Sequence, residues 1–240
     1  MTKIKLSALA CAILVGGQQL VAEDLKDIPE IDLVNYQSVK INKETKIITG
    51  NNPWSVSINV DNNGKLISRV LEFRNTSDIN IQNNSKATFE NEVSMETPHL
   101  HIINNSTADF NEQLYIFGSS SSLPVIEQDN DFSGGSLSLD NSTLDIKKEA
   151  IFNVIDVLIN HGSTAKIDNL KGYVSKIYVV NDSKLEIDKD TFFEARTHLI
   201  IKDNSNTTIK GALAVEDLVA IKIAKSNLNV GGVADLTDSA

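Results

Sequence analysis

The 240-residue sequence is poor in the residues that form disulfide frameworks, thiol sites and arginine-lined grooves. Its one cysteine, Cys11, lies within the first 22 residues, so the remainder of the chain has neither disulfides nor thiol chemistry. Aromatic residues make up 5 % of the sequence, and there are four prolines. After residue 22, no stretch of ten or more residues has apolar side chains at the three-to-four spacing of a helix. These absences argue against a disulfide scaffold and an α-helical solenoid, and they leave stability to a packed apolar core.

A short unit, Ser-x-Ala/Leu-x-Phe/Ile, usually follows Asn or Asp and recurs about every 21 residues. A fixed period of this size is typical of a solenoid, in which each repeat buries its apolar side chains only by stacking on its neighbours. The serines step by 21, 36, 21, 20, 22 and 21 residues, at Ser85, Ser106, Ser142, Ser163, Ser183, Ser205 and Ser226.

Apolar and polar residues alternate within each repeat, as in Val93 with Met95 and Leu100 with Ile102. This period of two predicts about three short strands per turn, separated by Asn, Asp, Gly and Ser, which tolerate left-handed backbone conformations. The sequence therefore predicts an all-β fold, a parallel β-helix with three faces. We expect a right-handed coil, as is usual for such folds.

Stacking at this period places outward residues of successive turns about 4.8 Å apart. Most vertical neighbours in the predicted columns then have opposite charges, which disfavours slips in register. The exception is Asp168 over Asp188, which we interpret as part of a solvated face. The columns are Asp145, Lys166 and Glu186, and Lys147, Asp168, Asp188 and Lys210.

Residues 1–22 have the pattern of a secretory signal peptide: Lys3 and Lys5, a short apolar run, and small residues before Ala22. The apolar run is too short for a permanent membrane span. A lipoprotein cleavage site at Cys11 is the alternative, although the sequence before that cysteine fits it poorly. Sec-type export would place the protein at the cell surface or outside the cell.

The rest of the chain is strongly acidic. The sequence has 22 basic and 32 acidic residues. Removal of the signal peptide takes away Lys3 and Lys5, so that 20 basic residues remain against 32 acidic ones, a formal net charge of −12. Such a surface argues against nucleic acid and anionic membranes as partners.

Two regions follow the signal peptide in the predicted organisation. Residues 23–60 lack the Asn-Ser unit and are predicted to form an N-terminal cap, in which Trp54 packs over the first open rung; a sugar-stacking role is the alternative for this tryptophan. Residues 61–240 form the β-helix rungs. No C-terminal cap is visible before Ala240, so we expect end-to-end or edge contacts at that rung, a covering by the last residues, or a longer gene product.

An inserted loop at 118–135 accounts for the 36-residue step. Loops between rungs project from one edge of a solenoid and are frequent binding surfaces, although a tolerated insertion is equally compatible with the pattern. Calcium binding by its acidic residues is a weaker alternative, because no Gly-Gly-x-Gly-x-Asp repeat is present. The predicted contact residues are Ser119, Ser120, Leu123, Val125, Glu127, Asp129, Asp131 and Phe132.

The signal peptide, the Asn-Asn-Ser-x-Ala-x-Phe units at 83–89 and 104–110 and the cysteine-free coil resemble the passenger region of Gram-negative autotransporters of the AIDA adhesin-like type. The resemblance covers about 60–240. It implies display at, or release from, the cell surface and a role in adhesion or aggregation. The sequence departs from the family in lacking the C-terminal membrane barrel, so a truncated relative or another export route is implied.

The candidates for chemistry are few. Asp168 and Asp188 are the one carboxylate pair that the register brings to adjacent rungs, as a glycosidase would need. Three arginines at unrelated positions and aromatic residues expected mostly at inward positions do not favour a sugar-cleaving groove. His99 and His101 share one face without a third metal ligand, and we interpret all four histidines as structural. No cofactor is expected.

The sequence therefore predicts a non-enzymatic, exported β-solenoid that binds a host or neighbouring-cell protein or glycan. A secreted polysaccharide hydrolase or lyase is the alternative, and a structural spacer is the third possibility.

Overall fold

The computed structural model describes residues 19–21, 28, 30–33, 37–47, 54–118 and 135–236. Within these ranges the structure contains β-strands and no helix, and the strands pair in parallel. They form a β-solenoid of about eight turns with a spacing of about 21 residues. The predicted all-β parallel coil is confirmed, and its handedness stays a prediction. No helix in the described residues is long and apolar enough to cross a membrane.

Each turn has three faces, and Face 1 is a sheet of ten strands. Its strands are Gln19–Val21, Ser38–Ile41, Ser57–Val60, Asp78–Ile81, His99–Ile103, Ser136–Asp140, Asp156–Asn160, Lys176–Val179, His198–Lys202 and Ala220–Ala224.

Face 2 follows Face 1 in each turn and contains the Ser-x-Ala/Leu-x-Phe/Ile unit. Two of its strands are long and continue around a corner onto Face 3, where the register shifts between Ile146 and Glu149. The strands of Face 2 are Glu30–Ile31, Glu44–Ile47, Lys65–Ser68, Lys86–Phe89, Thr107–Phe110, Thr143–Asn153, Thr164–Tyr173, Lys184–Ile187, Asn206–Ile209 and Asn227–Val230.

Face 3 closes each turn. It is built from the ends of the two long strands and from Glu72–Phe73, Val93–Glu96, Leu114–Phe117, Thr191–Glu194, Leu213–Val215 and Ala234–Asp235.

The Asn residues before the repeated serine make the corner between Face 1 and Face 2. Asn83 and Asn84 have positive φ angles of 56° and 61°, and Asn104 and Asn105 repeat them at 56° and 59°. Asn adopts this left-handed conformation more readily than most residues because its short polar side chain hydrogen-bonds locally. The amides also stack along the coil: Nδ2 of Asn104 donates to Oδ1 of Asn83 at 3.1 Å.

The repeated serine turns inward after this corner and forms a ladder along the coil axis. The backbone N–H of Ser85 donates to Oγ of Ser106 at 3.1 Å, and that of Ser106 donates to Oγ of Ser142 at 3.2 Å. The same bond joins Ser183 to Ser205 at 3.1 Å. These serines are buried, so the hydroxyls of Ser106, Ser142 and Ser205 each satisfy a corner N–H that water cannot reach. The unit recurs in the turns that have this corner.

The core lies inside the three faces and is filled by stacked apolar side chains, including five fully buried phenylalanines. The rings of Phe89 and Phe110 are parallel, with centroids 4.3 Å apart. On Face 3, Gly172 lies in register between Phe152 and Phe193. A Cβ there would lie 2.9 Å from Cδ1 of Phe193, so the glycine makes room for the phenylalanine.

The N-terminal region differs from the prediction. Four strands within 23–60 already belong to the coil: Glu30–Ile31, Ser38–Ile41, Glu44–Ile47 and Ser57–Val60. The alternation of Val39 with Ile41 suffices for a rung, because burial needs apolar inward positions and does not need the Asn-Ser corner.

Gln19–Val21, inside the predicted signal peptide, pairs with Ser38–Lys40. Cleavage after Ala22 would leave Ser38–Ile41 as the first strand of Face 1.

The last described turn is more exposed than the turns before it. Ile223, Val233 and Leu236 are exposed, whereas register partners such as Ile201 are buried.

Candidate binding surface

The two carboxylates singled out as an alternative catalytic pair do lie close together on Face 2. Asp168 and Asp188 line one shallow, open depression of about 290 Å³ with Asp145, Lys147 and Lys166. Nζ of Lys189 is 2.7 Å from Oδ2 of Asp168. The first of the two predicted charge columns is in register: Asp145 pairs with Lys166, which pairs with Glu186.

Asp188 is held by two lysines. Nζ of Lys210 donates to its Oδ1 at 2.6 Å, and Nζ of Lys166 is 3.4 Å from its Oδ2. The hydrogen bond from Lys210 is the main cause that lowers the pKa of the Asp188 carboxyl. A general acid in glycoside hydrolysis needs the opposite, a raised pKa. The arrangement therefore fits an ion-pair ladder that fixes the register of Face 2 better than it fits an acid-base pair.

His99 and His101 lie on the outward side of Face 1 and bond to the next turn. Nδ1 of His99 is 3.1 Å from Oγ of Ser136, and Nδ1 of His101 is 2.6 Å from Oγ of Ser138. Burial lowers the pKa of His101, and the neighbouring His99 adds to the effect. Across the part of the chain that the structure describes, no three His, Cys, Asp or Glu side chains come together as a metal site.

The aromatic residues were expected mostly at inward positions, and this expectation is wrong. Five of those that the structure describes are buried phenylalanines, but others point outward, and most of the outward ones lie on Face 3. Trp54, predicted to pack in a cap, is 43 % exposed and its backbone bridges to Arg74 at the start of Face 3. Tyr178 is the outward tyrosine of Face 1.

Four outward aromatics and one isoleucine lie close together on Face 3, spread over four successive turns. We call this group the aromatic surface: Tyr115, Phe117, Ile151, Tyr173 and Phe192. It arises because outward positions two residues apart on a strand share a face, and the parallel register stacks them from turn to turn.

Two vertical columns make up this surface. In the first, Tyr115 pairs in register with Ile151, followed by Lys171 and Phe192. In the second, Phe117 pairs with Asn153, followed by Tyr173 and Glu194. Apolar and hydrogen-bonding side chains therefore mix along the axis at intervals of about 4.8 Å.

Ring contacts fix the aromatic side chains within each strand or between neighbouring strands. The rings of Tyr115 and Phe117 are parallel within 4°, with centroids 6.2 Å apart. Tyr173 and Phe192 meet edge to face at 6.1 Å. Such edge-to-face pairs are a favoured aromatic geometry. Phe117 is the most exposed of the four, at 37 %.

One ion pair lies within the aromatic surface. Nζ of Lys171 is 2.8 Å from Oε2 of Glu149, and Nδ2 of Asn169 donates to the same oxygen at 2.9 Å. The bond to Glu149 is the main cause that raises the pKa of Lys171, so the ammonium group stays charged.

The Tyr115 hydroxyl adds a further polar group. It donates to Oε1 of Gln113 at 2.8 Å. Desolvation is the main cause that raises the pKa of the phenol. The surface thus combines apolar rings with polar groups that are held in place.

The predicted contact residues of the inserted loop, from Ser119 to Phe132, lie outside the described residues, so their role stays a prediction. The described chain leaves Face 3 at Gly118 and resumes at Gly135, where Face 1 begins. The insertion therefore follows directly after Phe117 of the aromatic surface. The alternation of Tyr115 and Phe117 with Leu114 and Ile116 was the sequence signal that could have shown that these two rings point outward.

Comparisons of the chain with protein-family models, with curated proteins and with solved structures gave no match.

Proposed function

We propose that this chain is an exported β-solenoid that binds a partner at a cell surface without chemical turnover, in the manner of an autotransporter passenger of the AIDA adhesin-like type. The observation that carries the proposal is the aromatic surface. Outward aromatic residues are enriched where proteins bind, and this surface brings four of them together on one face. The N-terminal secretory pattern and the acidic composition of the chain support export.

The second candidate is a secreted polysaccharide-degrading enzyme. The observation in its favour is that Asp168 and Asp188 line the same depression. The lysines that bond both carboxylates, and the lowered pKa of Asp188, weigh against it.

A single assay separates the two candidates. The protein is incubated with immobilised glycans and extracellular-matrix proteins, and retained protein and released sugar ends are measured in the same wells. We expect retention without release. Sugar release that Asp188→Asn abolishes would contradict the proposal and favour the enzyme, and absence of both signals would favour a structural spacer.

A further inference from the structure

We infer that the aromatic surface binds a neutral, linear polysaccharide whose chain runs along the solenoid axis. The inference rests on the proposed function, because it names the ligand of that binding surface. Three features of the surface support it: its shape, its alternation of apolar and hydrogen-bonding side chains, and its charge.

The shape favours a thin, extended ligand. The aromatic surface is two side-chain columns wide and four turns long, so it extends about 14 Å along the axis. A stable protein partner usually needs about 800 Å² on each side, contributed by about 20–30 residues. A handful of side chains on one narrow face is too small for that, but a single sugar chain laid along the columns would fit.

The alternation favours sugar rings. A pyranose presents apolar C–H groups on its faces and hydroxyls at its rim, so its binding site needs apolar contacts interleaved with hydrogen-bonding groups. The second column supplies this order with Phe117, Asn153, Tyr173 and Glu194. One strand spacing, about 4.8 Å, is close to the length of one hexose unit.

The charge favours a neutral ligand. The ammonium of Lys171 is neutralised by Glu149, Glu194 adds a carboxylate, and the whole chain has a formal net charge of −10. A polyanionic polysaccharide would meet repulsion from this surface. Hydrogen bonds to sugar hydroxyls need only the donors and acceptors already present in Lys171, Asn153 and Glu194.

The test uses oligosaccharides of graded length from cellulose, mannan and chitin, with polygalacturonate as the anionic probe, titrated calorimetrically into the full chain. We expect at least one neutral series to bind, with affinity that rises with length and levels off once the ligand exceeds about 14 Å. Tyr173→Ala and Phe192→Ala should each weaken binding about tenfold. The matched control is Tyr178→Ala, which removes an outward tyrosine from Face 1 in the same region of the coil and should leave binding unchanged.

Thermal unfolding of each variant shows whether it is folded. If Tyr173→Ala is unfolded, Tyr173→Leu replaces it, because leucine retains apolar bulk without the ring. The inference is overturned if no neutral series binds, if polygalacturonate binds more tightly, if affinity does not depend on length, or if Tyr178→Ala weakens binding as much as Tyr173→Ala. Retention on a matrix protein in the absence of oligosaccharide binding would overturn this inference and leave the proposed function standing. Sugar release would overturn the proposed function as well.

Discussion

At the scale of single residues, the repeated serine has a structural task that its position explains. Its hydroxyl accepts a hydrogen bond from a buried corner N–H of the preceding turn, as Ser106 does for Ser85. An unsatisfied buried donor costs more than the bond itself contributes, because the desolvation of the N–H is no longer offset.

We therefore expect Ser106→Ala to lower the free energy of unfolding by about 1–3 kcal/mol, measured by chemical denaturation. Ser94→Ala is the matched control, because Ser94 points outward on Face 3 and its loss should change stability little. Equal effects of the two substitutions would contradict the ladder.

Asp156 is the residue that the fold accommodates least well. Burial raises the pKa of its carboxyl to about 6, against the opposing effect of Lys176, and its Oδ1 is buried with no hydrogen bond from the described residues. Because the folded pKa lies above the unfolded value, ionisation of Asp156 favours the unfolded state. Its contribution to stability falls as the pH rises from about 4 to about 6.

Asp156→Asn should therefore raise the free energy of unfolding at pH 8 by about 1–2 kcal/mol, after allowance for solvent screening. The gain should shrink as the pH falls from about 6 to about 4, and below about 4 the carboxyl is protonated in both states. The measurement is denaturation of both proteins across this pH range, with the exposed Asp203→Asn as control. A gain of the same size at low pH would show that the carboxylate is not the cause.

At the scale of strands and turns, the close stacking of neighbouring rungs restricts side-chain size on Face 3. Gly172 lies directly beneath Phe193, and an added Cβ would also meet Cε1 of that ring and Cγ2 of Thr197, each at 3.2 Å. Gly172→Ala should destabilise the fold by about 1–3 kcal/mol through overpacking.

The double-mutant cycle with Phe193→Leu tests that cause. Because leucine lacks the ring atoms that crowd the new methyl group, the double variant should be less destabilised than the sum of the single changes. Simple additivity would contradict overpacking as the mechanism.

The strands also show how far the sequence could be interpreted without the structure. The 21-residue period and the Asn-Ser corner identified Face 2, and the two-residue alternation identified the inward residues, because burial acts on every turn alike. The strands Ser38–Ile41 and Glu44–Ile47 were assigned to a cap, despite their alternation, since they lack the corner unit.

The aromatic surface was missed for a different reason. Phe117 and Tyr173 share a column only when the insertion after Gly118 and the register shift between Ile146 and Glu149 are both placed correctly. Neither feature follows from local pattern, since the register of Face 3 depends on where each long strand bends.

At the scale of the whole molecule, the three faces of the solenoid carry different kinds of outward side chains. Face 2 has the corner serines and an ion-pair ladder that pins the register, and the lysines that neutralise Asp168 and Asp188 belong to this ladder. Face 3 has a less regular register and, among the described residues, is the face where outward aromatic rings collect across successive turns. A solenoid can vary such a surface turn by turn without disturbing the core, because each turn contacts only its neighbours.

Hydroxyl-radical footprinting of the outward side chains, with and without the ligand retained in the binding assay, tests the central claim most directly. We predict that ligand protects Tyr115, Phe117, Tyr173 and Phe192 from oxidation and leaves Tyr178 on Face 1 unprotected. Protection of Tyr178 with the four residues of Face 3 unchanged would place the binding site on another face and contradict the account.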